Sequence, residues 1–431
     1  MNSYIVLPIF IDNQFHPLHK DNHLSLLYVK ELNHESQILT FDHLDSLSTD
    51  NFDFLENSII LTPNKKHLLS IHSFKTVYDI DLLNYYLFNK PLNFEDIRIN
   101  AIDTINSRYY DMNNLNTIIP IYKHLEYCDE IANRILEVWD RKDEVDWNSY
   151  EQYNNEAILA FYSIEKEGVD VSNDVVDIFD KRVEKHLSDN KLFTDYFLYT
   201  TAGRPSNSFG SINFAALTES KRRAIVPKND MLFEFDYDAY HLRLIADIVD
   251  YQFPEGPAHE HLAKFYGSED YEESKAKSFQ YLYGGIPPDV AQMNPFFSNV
   301  DDLSHILWKQ FKQQKYIETP IYKRRMMACN LQEMNRNKLL NYLIQATETE
   351  RNIKTIIKIQ RYLYKKKTSL ILYNYDSFLF DYCKEDGLEL LKEIMKILER
   401  NNFLTKIKMG IDFGQMVNLD REKLLGNLSR Q

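Results

Sequence analysis

The chain has 431 residues, 44% hydrophobic and 13% aromatic, with only 11 glycines and 13 prolines; one core cannot serve this length, and long disordered linkers are excluded. Three scattered cysteines, Cys128, Cys329 and Cys383, have no metal-ligand spacing, the N-terminus shows no basic region followed by an apolar core, and no apolar run reaches the ~18 residues of a membrane span. A soluble, unprocessed protein of a reducing cytoplasm is expected, without a membrane partner. The net charge of −14 argues against a polyanionic partner, yet Lys323–Lys367 carries twelve Lys/Arg against three Glu, which leaves −23 for everything else. That segment fits a phosphate-backbone footprint on an acidic body as well as it fits a solvated helix face.

In chain order, residues 1–115 alternate strand-like runs (SYIVLPIFI, LSLLYVKEL, NSIILT) with polar turns and reach a helix-like run at DIDLLNYYLF, the pattern of a small α/β domain. Residues 116–200 turn helical: IPIYKHLEYCDEIANRILEVW and NNEAILAFYSIEKEG repeat at three- and four-residue spacing, the second closed by Gly168. TTAGRPSNSFGSINFAAL reads as an ordered loop into the strand FEFDYD. Residues 251–367 are mostly helical, ILYNYDSFLFDY is β-rich, and a helix (LELLKEIMKILERN) and a strand near KIKMGIDF follow.

FEFDYDAYHLRLIA, 233–246, sets Asp236 and Asp238 where a strand enters a core. An ionised carboxylate taken out of water needs a cation, donors or a metal. Asp376 has the same setting, within a Tyr/Phe/Leu strand. Two such carboxylates converging from separate strands cannot both stay ionised unaided. Two Mg²⁺ ions roughly 3.5–4 Å apart relieve them, and that arrangement clamps the attacking and leaving oxygens of phosphoryl transfer. SKAKSFQYLYGG, 274–285, places Lys275, Phe279 and Tyr283 every four residues along one helix face. A charge and two rings suit a nucleoside triphosphate; the alternative is an ordinary amphipathic helix with both rings in the core.

These segments, in order, resemble the polymerase module of family A DNA polymerases, the bacterial repair and phage replicative type. TAGRPSNSFGSINFAAL resembles the family's T-x-G-R loop and FDYDAYHLRLIA its motif A (D-Y-S-x-x-E-L-R). PAHEHLAKFYG resembles the I-H-x-x-x-A stretch, and KAKSFQYLYGG motif B (R-x-x-x-K-x-x-x-F-x-x-x-Y-G). NYLIQATETERN resembles the N-x-x-x-Q helix and YNYDSF motif C (V-H-D-E). The likeness covers about residues 155–416.

It implies an α+β multidomain, right-hand polymerase: an exonuclease-like domain over 1–115, a helical connector and reduced thumb over 116–200, palm over 201–250 and 368–431, and fingers with template-binding helices over 251–367. Asp236 and Asp376 would be the catalytic, metal-binding pair for two Mg²⁺ ions. Lys275 would contact the triphosphate, with Phe279 and Tyr283 as the sugar and base wall. Arg204 would reach the minor groove, and Asn341 and Gln345 would touch template and primer. The partners implied are primer-template DNA and deoxynucleoside triphosphates, with a processivity or replisome protein expected where only about 35 residues stand for the thumb. The compact build suggests a viral or mobile-element origin.

The departures bear on chemistry. His241 replaces the motif A glutamate that closes the pocket against a 2′ hydroxyl; being bulky and able to bond Tyr283, it predicts a weakened deoxynucleotide preference. Tyr271 replaces the motif B arginine, losing a phosphate contact unless Lys277 or another base supplies it. Motif C keeps Asp376 but has Tyr375 and Ser377 beside it. The 1–115 region lacks the exonuclease D-x-E, offering only Asp12, Asp42 and Asp45, while Asp79 and Asp81 read as ordinary helix N-terminal acids. The expected function is a DNA polymerase without proofreading; a polymerase-like scaffold that has lost chemistry, and a single-subunit RNA polymerase, are the alternatives.

Overall fold

The computed structural model describes residues 2–10, 15–32, 34–40, 49–94, 121–210, 212–267, 270–331, 333–400 and 403–421. Its contacts divide the chain into two units, residues 1–199 with 207–216, and residues 200–206 with 217–431.

The first unit is built on a five-stranded sheet. Strands β1 (Ser3–Phe10), β2 (Leu24–Glu31) and β3 (Ser36–Thr40) form an antiparallel meander, and β4 (Ile59–Thr62) and β5 (Thr76–Asp79) add parallel to β1, giving the order β3-β2-β1-β4-β5. β3 and β5 are too short for the alternation rule to register in sequence. Helices α1 (Lys65–Leu69), α2 (Ile80–Phe88), α3 (Ile121–Trp139) and α4 (Trp147–Glu167) pack within this unit, so the segment expected as a connector is continuous with the amino-terminal sheet. Gly168 ends α4 at φ +63°, as its position in the pattern requires.

Asp79 is the helix-start acid expected, with further bonds besides. It is buried, caps α2 by accepting from Leu82 N–H at 2.9 Å, and also accepts from Lys65 N–H at 2.8 Å and the Tyr199 hydroxyl at 3.1 Å. Both oxygens are taken up in holding β5, α1 and α2 together. Asp81 accepts from Leu92 N–H at 3.0 Å. Asp12, Asp42 and Asp45 lie outside the described residues.

The second unit centres on an antiparallel sheet. β6 (Met231–Tyr237) lies between the hairpin β7 (Ser369–Asn374)–β8 (Ser377–Tyr382) and β9 (Thr405–Gly410), with β10 (Val417–Asn418) outermost, in the order β7-β8-β6-β9-β10. The period of two sorts β6 by face. Phe233, Phe235 and Tyr237 pack edge-on against Tyr382, Phe380 and Phe378. Glu234 and Asp236 point the other way. Helices α5 (Tyr240–Ile248), α6 (Ala258–Tyr266), α7 (Tyr271–Gly284), α8 (Pro295–Gln314), α9 (Arg336–Leu363) and α10 (Leu388–Leu398) supply the rest. A core of Leu242, Ile245, Leu262, Leu282, Phe296 and Ile344 locks α5, α6, α7, α8 and α9 together. α7 stops at Gly284 because Gly285 adopts φ +109°, and a Cβ there would stand 2.7 Å from the Asn337 amide.

Candidate active site

Asp236 lies near the end of the inner strand β6, where the register pairs it with Ser377 on one side and Lys406 on the other. Asp376 is not within a strand, as the aromatic run suggested; it sits in the turn of the β7–β8 hairpin, where Tyr375 takes a left-handed φ of +60°. Its carbonyl accepts from Tyr237 N–H at 2.9 Å, so the turn is stitched to the end of β6 and the two carboxylates face one cleft.

That cleft encloses about 360 Å³ and is lined by seven of the nine residues singled out in sequence: Arg204, Asp236, His241, Lys275, Phe279, Tyr283 and Asp376. Asn341 and Gln345 are outside its lining. Asn341 stands one contact away, its amide donating to the Tyr283 carbonyl at 3.4 Å, and Gln345 is half-buried one turn further along α9.

The two acids are held above the ordinary carboxylate range. Burial, then the charge of Asp376, pushes Asp236 up to about 6, against the pull of Lys408, whose ammonium is 3.8 Å away. Burial and the charge of Glu348 push Asp376 up as well. Two hard oxygen donors on stitched elements, each raised by a neighbouring negative charge, fit a divalent cation that keeps water and substrate oxygens as further ligands. Asp238 plays a different part. It is buried and held by Lys406 at 2.9 Å and Arg243 at 3.7 Å, fixing the turn at Ala239 (φ +51°) that launches α5.

On α7 the four-residue spacing does put Lys275, Phe279 and Tyr283 on the cleft side. The Phe279 and Tyr283 rings lie parallel, 2° apart in plane with centroids 5.8 Å apart. His259 packs edge-on against Phe279, and burial lowers it to about 4, so it is a neutral wall at pH 7. The His241 Nδ1 contacts the Tyr283 hydroxyl, the bond the sequence allowed for.

Three residues that sequence reasoning missed complete the site. Glu348, fully buried on α9, places Oε2 at 3.0 Å from Arg204 Nε and 3.3 Å from His241 Nε2. The Arg204 guanidinium lies 3.6 Å above the Tyr375 ring, so the arginine is clamped between a carboxylate and an aromatic face. Asn352, one turn beyond Glu348, donates to the Tyr375 carbonyl at 2.7 Å and accepts from the Tyr240 hydroxyl at 2.5 Å, tying α9 to the turn that carries Asp376 and to the start of α5. Lys406 is the third. It lines the cleft with its ammonium 2.9 Å from Asp238 and 5.8 Å from the Tyr271 ring centroid. Lys277, the expected substitute for the missing motif B arginine, is instead engaged by Glu273 at 2.8 Å and is not in the lining.

No protein-family model and no curated protein matches the sequence. By structure, the chain is similar to the POL domain of Pol1 from M. smegmatis, solved in complex with DNA primer-template and dNTP, with a TM-score of 0.70 at 13% identity over 96% of each chain. The chain has a DNA polymerase domain fold. The α+β architecture expected from the motifs is therefore met, and the aligned share takes in both units. No described helix is long and apolar enough to cross a membrane.

Proposed function

We propose that the chain is a template-directed DNA polymerase of the family A type, adding deoxynucleotides to a primer 3′ end without proofreading. The observation that carries this reading is the single cleft where Asp236 and Asp376 meet Lys275, Phe279 and Tyr283. In it the second-unit sheet is the palm, 251–367 the fingers, 116–200 the connector and reduced thumb, and 1–115 an exonuclease-like domain kept for structure.

Asp236 and Asp376 hold the divalent ions; when bound, two Mg²⁺ ions supply charge neutralisation at the attacking and leaving oxygens. The chain's own residues do the positioning, which is most of what phosphoryl transfer asks of a protein. Lys275 and Lys406, both in the cleft lining, contact the triphosphate and stabilise charge developing on the pyrophosphate. Phe279 and Tyr283 flank sugar and base. His241, oriented by Glu348, crowds the 2′ position. Arg204, held by Glu348 and Tyr375, reaches the minor groove of the primer terminus, with Asn341 and Gln345 beside it on the template side.

Primer extension with Mg²⁺ and either deoxy- or ribonucleotides tests this. Extension with deoxynucleotides, and less with ribonucleotides, is expected. A protein that binds primer-template and extends nothing would be a replication scaffold instead.

A further inference from the structure

The basic segment 323–367 resolves into groups with different fates. Arg324 is buried and donates to the Ala202 carbonyl at 3.0 Å; Arg336 pairs with Asp301 at 3.1 Å and Arg325 with Glu318 at 3.7 Å. These are structural. A second group lies on α9: Arg351, Lys354, Lys358 and Arg361, which helical geometry gathers into a stripe about 80° wide and ~15 Å long; at its start Arg351 lies over the Phe403 ring and Lys354 over the Tyr322 ring, and Lys358 and Arg361 are exposed. The stripe is turned by roughly 130° from the face that presents Asn341, Gln345, Glu348 and Asn352 to the site, so one strand segment cannot touch both.

Like charges crowd there. Arg400, Arg351 and Lys354 all depress Lys358, adding to the effect of its partial burial. The nearest acids are spent or distant: Asp247 is 3.9 Å from Arg351, and Glu399, next to Arg400, is bound to Arg421. Among the described residues no carboxylate pairs with Lys358, Arg361 or Arg400. In a chain with 64 acidic and 50 basic residues, leaving the exposed cations Lys358, Arg361 and Arg400 together without counter-charge costs stability that a polyanion recovers. Just past the stripe, Tyr364 is 73% exposed with the Lys365 ammonium 5.3 Å from its ring. An exposed ring beside a row of cations is the combination that holds unpaired bases and their phosphates.

We propose that this face of α9 is a second nucleic-acid site, which binds single-stranded DNA outside the active-site cleft. It goes beyond the polymerase reading, and its test involves no chemistry. Binding of a fluorescent 20-nucleotide oligo(dT) is followed by anisotropy with the cleft saturated by unlabelled primer-template, for wild type, K354E/K358E/R361E and Tyr364→Ala. The triple variant is expected to bind the oligonucleotide at least tenfold more weakly, with a log–log salt slope smaller by about 2, as three lost phosphate contacts require. Tyr364→Ala is expected to lose about fivefold or more. Primer-template affinity should change less than twofold in both. Equal oligo(dT) binding by wild type and the triple variant would overturn the proposal. So would polyglutamate of equal charge competing as well as DNA with Tyr364→Ala unaffected, since that marks an acidic protein partner. A chain that extends no primer would still answer the question.

Discussion

Glu348 lies 3.3 Å from His241 Nε2 with no part of its side chain in solvent. A buried carboxylate fixes its neighbours: with the Nε2–H turned toward Glu348, His241 Nδ1 is left to accept from the Tyr283 hydroxyl. Where the resemblance to motif A leads one to expect a carboxylate, α5 carries His241, and a carboxylate from α9 stands behind it. Truncating His241 to Ala should therefore raise ribonucleotide insertion at least tenfold relative to deoxynucleotide. Glu348→Gln, which keeps shape but loses charge, should move the ratio the same way by less. Single-nucleotide insertion kinetics read the ratio of kcat/KM values; a ratio unchanged in both variants would remove the gate from this pair.

Lys406 tests whether a strand lysine supplies the phosphate contact that the resemblance to motif B leads one to expect from an arginine. Lys406→Ala should raise KM for the incoming nucleotide about tenfold, equivalent to ~1.4 kcal/mol, with a smaller fall in kcat. Adding Tyr271→Arg should recover most of the loss. Lys277→Ala should be silent. If Lys406→Ala leaves KM alone while Lys277→Ala raises it, the assignment is reversed.

The raised Asp236 gives a pH signature. Its folded value, about 6, exceeds the ordinary carboxylate value of 3.8, so the folded chain holds the extra proton between those limits and this residue's contribution to stability falls as pH rises through them. Without divalent cation at pH 7.5, Asp236→Asn should melt above wild type, by ~2–4 °C for each kcal/mol of repulsion relieved. The difference should vanish below about pH 4. Mg²⁺ should raise the wild-type Tm and not the variant's, and the wild-type response should weaken below pH 6. A variant that melts lower at pH 7.5 would mean Asp236 is structurally paired, not strained.

Residues 168–199 contain only short elements, Val175–Phe179 and Lys181–His186 being the longest helical pieces, where a duplex-gripping thumb would need long helices. Processivity should be low. Extension in a single binding event, with heparin trapping released enzyme, should give short products; hundreds of nucleotides per event would contradict this.

Much of the fold was legible because its signals are local. Apolar runs between polar turns marked β1, β2 and β4, helical spacing marked α3, α4 and α7, and carboxylates set among aromatics marked Asp236 and Asp376. The position of Asp376 misled because an aromatic, Tyr375, takes the left-handed turn conformation usually given to Gly or Asn. Glu348 could not be read: its partners Arg204 and His241 are over a hundred residues away, and its helix neighbours Glu350 and Asn352 are equally polar and buried for other reasons. Lys406 left a faint trace, since KIKMG alternates two lysines on one face of a strand, yet only the pairing of β9 with β6 puts them opposite Asp236 and Glu234.

The account rests on Asp236 and Asp376 sharing divalent ions. The most direct test is a crystal structure with primer-template, a dideoxy-terminated primer, an incoming deoxynucleotide and Mn²⁺, read by anomalous scattering. Two peaks about 3.5–4 Å apart, bridged by both carboxylates, are predicted. A bound nucleotide with no anomalous density at either aspartate, or with metal held elsewhere, would contradict it.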